Sequence, residues 1–190
     1  MPANQKLSGN PSALFRPFKK HIMSVEQLEF VPFNTALSGD FLSINRQWIE
    51  DMFVMEPSDF AMLEDPYRYI IAPGGYIWFA AHKELGILGT CALHRQAEGV
   101  FELTKMGVRG HNRGLKVGEK LLRHVLEQSE KLSLACLYLL TNKKCAAAIH
   151  LYEKNGFVHS QRIMQRYGSA YERCDVAMEY CPDYHEKVIK

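Results

Sequence analysis

Three apolar segments follow one another between Tyr76 and Val108 with hardly any chain between them, and then the hydrophobic period changes. Tyr76 to His82, Ile87 to His94 and Val100 to Val108 are rich in aromatic and aliphatic residues. They are separated by the turn Glu84 to Gly86 and by Ala97-Glu98-Gly99. Turns that short join antiparallel neighbours, so these segments predict a meander. Immediately afterwards Val117, Leu121, Leu122, Val125, Leu126 and Leu132 recur at helical intervals and predict a helix over 116–131. Leu134 to Leu140 is then an unbroken apolar run, as in a strand buried on both faces. Strand 100–108, helix and strand 134–141 form a βαβ unit, whose strands are parallel with a right-handed crossover. A meander feeding a parallel unit implies an α/β chain with one mixed, mostly antiparallel sheet flanked by helices, the parallel unit lying at 100–141.

The rest of the chain extends this plan. Leu28 to Phe33 predicts a first strand. Asn34 to Val54 carries Leu37, Phe41, Ile44, Trp48 and Met52 at spacings of three and four, an amphipathic helix ended by Pro57. A short helix follows over Ser58 to Glu64 with Ser58 as its cap, and Pro66 and Pro73-Gly74-Gly75 punctuate a loop. Ala146 to Tyr152 predicts a helix stopped at Asn155-Gly156. Phe157 to Ile163 and Cys174 to Tyr180 predict two closing strands.

At 190 residues the chain is one domain, 25–183, behind a basic leader, 1–24. The net charge of +2 conceals an asymmetry: Lys6, Arg16, Lys19 and Lys20 give residues 1–22 a charge of +4 with no acid, leaving −2 for the remainder. Charge therefore gives nucleic-acid binding no support. No apolar stretch approaches the roughly eighteen residues of a membrane span. The leader lacks the apolar segment of a secretory signal; a transit peptide is weakly argued by its one Arg, and Met23 is an alternative start. The five cysteines are odd in number and none has Cys-x-x-Cys spacing, and no histidines form a metal-ligand pair. A reducing, cytoplasmic setting without a metal is the expectation.

The chemistry concentrates at 108–119, where a strand runs through Gly110 and Gly114 into a helix. The first turn of a helix presents unpaired N–H groups and the positive end of the dipole, glycines let phosphate oxygens approach the backbone, and Arg113 and Lys116 add cations. A phosphate cradle and an ordinary strand-to-helix connection both fit this loop. A P-loop does not, for want of Gly-Lys-Ser/Thr, nor does a dinucleotide fingerprint, whose glycine spacing differs.

Two spaced motifs extend the comparison. Arg113, Lys116 and Gly118 fall on the positions of Arg/Gln-x-x-Gly-x-Gly/Ala, with Lys116 at the first glycine and Val108 five residues before Arg113. Ala148, Tyr152, Gly156 and Phe157 match Ala-x-x-x-Tyr-x-x-x-Gly-Phe in full. In these the chain resembles, over roughly residues 25–181, the GNAT superfamily of acyl-CoA-dependent N-acetyltransferases.

The resemblance implies acetyl-CoA as co-substrate, with pantetheine along strand 100–108 near Met106 and Val108 and the pyrophosphate on Arg113, Gly114, Leu115, Lys116, Val117 and Gly118. It implies a backbone N–H at a bulge near Met106-Gly107 to polarise the thioester, although Gly107 is equally explained by packing. Tyr152 becomes the candidate general acid for the departing thiolate; by periodicity alone it is a core aromatic. Cys145 stands where many members have Asn, and Asn142 is the alternative at that end of the cleft. Glu102 is the candidate base for an ammonium acceptor, against a solvated strand residue, with His94 a weaker candidate. Residues 45–75 and 163–172, with Trp48, Asp51, Met55, Glu56, Tyr67, Tyr69, Tyr167 and Tyr171, are expected to shape the acceptor pocket. The expected acceptor is a small-molecule or peptide amine, attacked directly in a ternary complex, with neither nucleic acid nor membrane as partner and a homodimer left open. A non-catalytic acyl-CoA-binding module of the same fold is the alternative, and a partner-binding protein acting through residues 1–22 is a second.

Overall fold

The computed structural model describes residues 28–110, 115–132 and 134–181. Seven strands form one sheet: β1 (Leu28–Pro32), β2 (Tyr76–His82), β3 (Gly86–Ala97), β4 (Val100–Val108), β5 (Cys136–Thr141), β6 (Phe157–His159) and β7 (Val176–Tyr180). Their spatial order is β1-β2-β3-β4-β5-β7-β6. Neighbours are antiparallel except β4 and β5, which run parallel as the βαβ pattern requires. The helices are α1 (Ser38–Met52), α2 (Pro57–Glu64), α3 (Val117–Lys131), α4 (Ala146–Lys154) and α5 (Gln161–Tyr167). Among the described residues no helix is long and apolar enough to cross a membrane.

The sheet is covered on both faces. Val117, Leu121, Leu122, Val125 and Leu126 of α3 pack with Leu93, Phe101, Leu103, Leu137 and Leu139. On the opposite face Phe41 and Ile49 of α1 and Leu63 of α2 meet Ile77, Phe79 and Ala92, while Ile163 of α5 meets Tyr138 and Ala177. The period-2 alternation of β2 and β5 is what divides these residues between two cores.

Five local expectations are corrected. The helix predicted from Asn34 starts at Ser38 and ends at Met52, after a 3-10 turn over Thr35–Leu37. Ser58 is not the cap of α2: Pro57 already occupies the first turn, where its missing N–H costs nothing, and the Asp59 carboxylate accepts from the Glu56 N–H at 3.0 Å. The loop before Pro73 contains a π-type turn, Tyr67–Ile71, that buries Ile70. The strand predicted over 157–163 stops at His159. Ser160 then caps a helix, its hydroxyl accepting from the Ile163 N–H at 3.3 Å, and the helix formers Gln161 to Gln165 wind instead of extending. The final strand likewise begins at Val176 and not at Cys174. The stop at Gly156 is as expected, its φ of +93° being a conformation glycine adopts without strain.

Candidate active site

The site begins where the parallel strands part. β4 and β5 are in register only at Val100–Cys136, Phe101–Leu137 and Glu102–Tyr138, although β4 runs on to Val108 and β5 to Thr141. Beyond the last pair a cleft opens between Leu103–Met106 and Leu139–Asn142. Trp48 and Phe53, Cys145 and Tyr152, and Tyr171, Arg173 and Cys174 complete its walls.

A bulge shapes the β4 wall. The β3–β4 register shifts between Thr90 and Ala92, and Lys105 opposite this shift has φ +49°. The extra residue inverts the alternation: Phe101 and Leu103 face α3, and after the bulge Met106 and Val108 do so. A buried relay of hydrogen bonds fixes it. Trp48 Nε1 donates to Asn45 Oδ1 at 3.0 Å, Asn45 Nδ2 donates to Thr90 Oγ1 at 3.0 Å, and Thr90 Oγ1 donates to the Lys105 carbonyl at 3.1 Å. The bulge was expected at Met106-Gly107, and the structure places its left-handed residue at Lys105. Gly107 has a separate reason: a Cβ there would stand 2.7 Å from Trp48 Cδ1 and 3.0 Å from Ile44 Cγ2. It is the seat on which α1 lies.

Tyr152 closes the fork from α4. It is 8% exposed, stacks edge-on against Phe157, and points its hydroxyl at Met106 Sδ, 3.8 Å away. Burial, with the Cys91 and Cys145 thiols adding to it, pushes the phenol well above its ordinary range, so it carries its proton at neutral pH. Asn142 also lines the cleft, but its amide is engaged in shaping the loop: Nδ2 donates to the Arg173 carbonyl at 2.6 Å and Oδ1 accepts from the Lys144 N–H at 2.9 Å.

The entrance of α3 adjoins the same strand. Leu115 and Val117 are buried, and the Gly118 Cα position sits over Val108, Met106 and Leu151, where a Cβ would make ordinary contacts at 3.6 to 3.8 Å. Lys116 is exposed and left-handed, with φ +50° and ψ +34°. Lysine therefore holds the backbone shape that glycine adopts most easily, and its side chain is free to reach solvent. Arg113 and Gly114 lie outside the described residues.

Glu102 is not a solvated strand residue. It is 3% exposed, because Tyr171 covers the face that alternation alone assigns to solvent. Tyr171 Oη donates to Oε1 at 3.1 Å and Gln96 Nε2 donates to Oε2 at 3.3 Å, and the Thr104 hydroxyl lies beside the carboxyl. Burial raises its pKa above the usual carboxylate value, with the Lys105 charge and the hydroxyl bonds opposing that rise. His94 is the cross-strand partner of Glu102; its Nδ1 accepts from Gln96 Nε2 at 2.9 Å, and burial, aided by Lys105, lowers its pKa. This favours the neutral ring, and Gln96 links it to Glu102.

Beside Glu102 lies a charge cluster that sequence reasoning missed. Asp59 is fully buried. It accepts from Lys105 Nζ at 2.9 Å and from both ends of the Arg173 fork, Nη1 at 2.6 Å and Nη2 at 2.8 Å. Burial acts to raise its pKa, but Arg173 and Lys105 outweigh it and bring the group down to about 2. Glu56 accepts from the Glu172 and Arg173 N–H groups and pairs with Arg173 Nη1 at 3.1 Å. The start of α2 is thereby clamped to the segment preceding β7. The available signals were a lysine inside a predicted strand and an acid in the first turn of a Pro-led helix. Of the residues expected around an acceptor, Trp48 and Tyr171 line the cleft, and Asp51, Met55 and Glu56 line an open groove sharing Phe53 and Arg173 with it. Tyr67 and Tyr69 are exposed elsewhere, and Tyr167 stacks on Tyr138 with ring centres 4.4 Å apart.

Comparison with known proteins agrees with this architecture. Residues 73–159 match the model of the acetyltransferase (GNAT) domain. An uncharacterized N-acetyltransferase of Schizosaccharomyces pombe is 32% identical over 96 residues, a match covering 50% of this chain and 59% of that protein. A GNAT-family acetyltransferase structure from Staphylococcus aureus Mu50 superposes with a TM-score of 0.72 at 22% identity, covering 82% of this chain and 99% of that one. Spermidine N-acetyltransferase from Vibrio cholerae, in complex with CoA and spermine, superposes with a TM-score of 0.60 at 19% identity, covering 82% and 95%. At these identities the structural likeness is one of fold.

Proposed function

Because the chain belongs to the GNAT superfamily of acyl-CoA-dependent N-acetyltransferases, we propose that it transfers an acetyl group from acetyl-CoA to a primary amine by direct attack in a ternary complex. The observation that carries this reading is the protonated Tyr152 hydroxyl set in the fork where β4 and β5 separate.

The residues present suit the donor. Separation from β5 leaves the β4 edge near Met106, Gly107 and Val108 available to amide groups of a pantetheine arm. The first N–H groups of α3, at Val117 and Gly118, together with Leu115 and Lys116, suit a diphosphate, and Arg113 and Gly114 belong to the same proposed cradle. Asn142 shapes the far wall. The bound thioester supplies an activated acetyl group. Tyr152 donates its proton to the departing sulfur, which spares the cleft a bare thiolate. Glu102, its proton affinity raised by burial, takes the proton that the acceptor ammonium must lose before its lone pair can attack.

A thiol-release screen with acetyl-CoA tests the reading against amino acids, polyamines, aminoglycosides and peptide N-termini. Polyamines belong in that panel because a structural neighbour is a spermidine N-acetyltransferase. Thiol release with one amine class is the expected result. Tight acetyl-CoA binding without release across the panel would mark a binding module instead.

A further inference from the structure

Resting on the assignment of Glu102 as base, we propose that Tyr171 is a further catalytic residue, through whose hydroxyl the acceptor's proton reaches Glu102. The geometry leaves the carboxylate little direct access to the cleft. Glu102 is 3% exposed and does not line the cleft, whereas Tyr171 and Thr104 do. Tyr171 Oη donates to Glu102 Oε1 at 3.1 Å. The phenol is thus the contact between cleft and base.

Its surroundings hold it there. Lys105 Nζ lies 5.1 Å from the Tyr171 ring centre and Arg173 Cζ lies 5.3 Å from it. Both cations are tied to the buried carboxylate of Asp59. The charge cluster therefore fixes the ring whose hydroxyl faces Glu102. Burial and the neighbouring Glu102 push the phenol well above its ordinary range, so a free phenolate is not formed along the way. The two transfers are concerted. The N–H bond of the acceptor ammonium breaks as a new O–H forms on Tyr171 Oη. The original Tyr171 proton passes to Glu102 Oε1, and the electron pair stays on nitrogen. The amine, the phenol and the carboxylic acid all end neutral.

The test compares Tyr171→Phe, Glu102→Gln and the double variant, using acetyl-CoA and the amine that releases thiol fastest in the panel. Tyr171→Phe should lower kcat by about a hundredfold, the scale of proton transfer by a positioned group, with KM for acetyl-CoA within about twofold. The double variant should be no slower than Glu102→Gln, because one route is cut in both. Rate against deuterium fraction should be curved for the wild type and linear for Tyr171→Phe, since two protons move in one step and then one. Replacing Tyr171 by a fluorotyrosine, which keeps ring and hydroxyl, should alter kcat and leave the melting temperature in place. A Tyr171→Phe variant with wild-type kcat beside an impaired Glu102→Gln would overturn the relay and leave the base assignment standing. Full activity in Glu102→Gln, or no amine acetylated by the wild type, would overturn both.

Discussion

Replacing Asp59 by Asn keeps the outline of the side chain and removes its charge. In the folded protein Asp59 is wholly buried, faces Lys105 Nζ at 2.9 Å and receives both arms of Arg173. Arg173 retains Glu56, but Lys105, whose side chain is 2% exposed, is left with an amide in place of a carboxylate. Breaking a buried pair from one side costs about 3–5 kcal/mol, most of it the burden of the stranded charge. The pH dependence follows from the same geometry. The carboxyl is held at about 2 against an ordinary 3.8, so its stabilisation is complete above pH 4 and disappears as pH falls toward 2. That lowering corresponds to about 2 kcal/mol. Urea unfolding of wild type and Asp59→Asn at pH 7 should therefore differ by about 3–5 kcal/mol, and the difference should shrink by about 2 kcal/mol between pH 4 and pH 2. A difference below about 1 kcal/mol at pH 7, or one independent of acid, would refute the placement of this carboxylate as the counter-charge of Lys105.

Tyr152→Phe should lower kcat by about 10²-fold or more while calorimetry returns near-wild-type acetyl-CoA affinity; undiminished turnover removes Tyr152 from the chemistry. Lys116→Gly should raise stability by about 1 kcal/mol by relieving the left-handed backbone, seen as a melting temperature higher by a few degrees, while removing a cation from the α3 entrance should weaken acetyl-CoA binding. Gly107→Ala should destabilise by about 1–3 kcal/mol, because the added methyl would stand 2.7 Å from Trp48, and should shift tryptophan emission as α1 is displaced.

The parts of this molecule legible in the sequence are those whose information is local. Short turns between Tyr76 and Val108 dictate the meander, the spacing of Val117 to Leu126 dictates α3, and Gly156 dictates where α4 stops. Tyr152, which lines the cleft, was singled out by the family motif through Ala148, Gly156 and Phe157, periodicity alone making it a core aromatic. What was illegible depends on contacts made across the chain. Asp59 lies 46 positions from Lys105 and 114 from Arg173, so no window shows the three together. The covering of Glu102 depends on Tyr171, 69 positions away, and alternation along β4 knows nothing of it. The bulge at Lys105 carries no glycine to announce it, because a hydrogen bond from Thr90 and an ion pair to Asp59 hold a lysine in a conformation it would otherwise avoid. Strand β6 gives way to α5 because a serine cap decides an ambiguous stretch of helix-forming residues.

Lys105 has two attachments that belong to different halves of the site. Its main chain makes the kink that shapes the β4 wall of the cleft, and its ammonium, through Asp59, anchors the first turn of α2, which borders the adjoining groove. Those walls consequently share one hinge pin and are not independently adjustable. A graft that exchanges residues 53–64 must carry an acid at position 59, or the kinked strand β4 will shift along with the new segment.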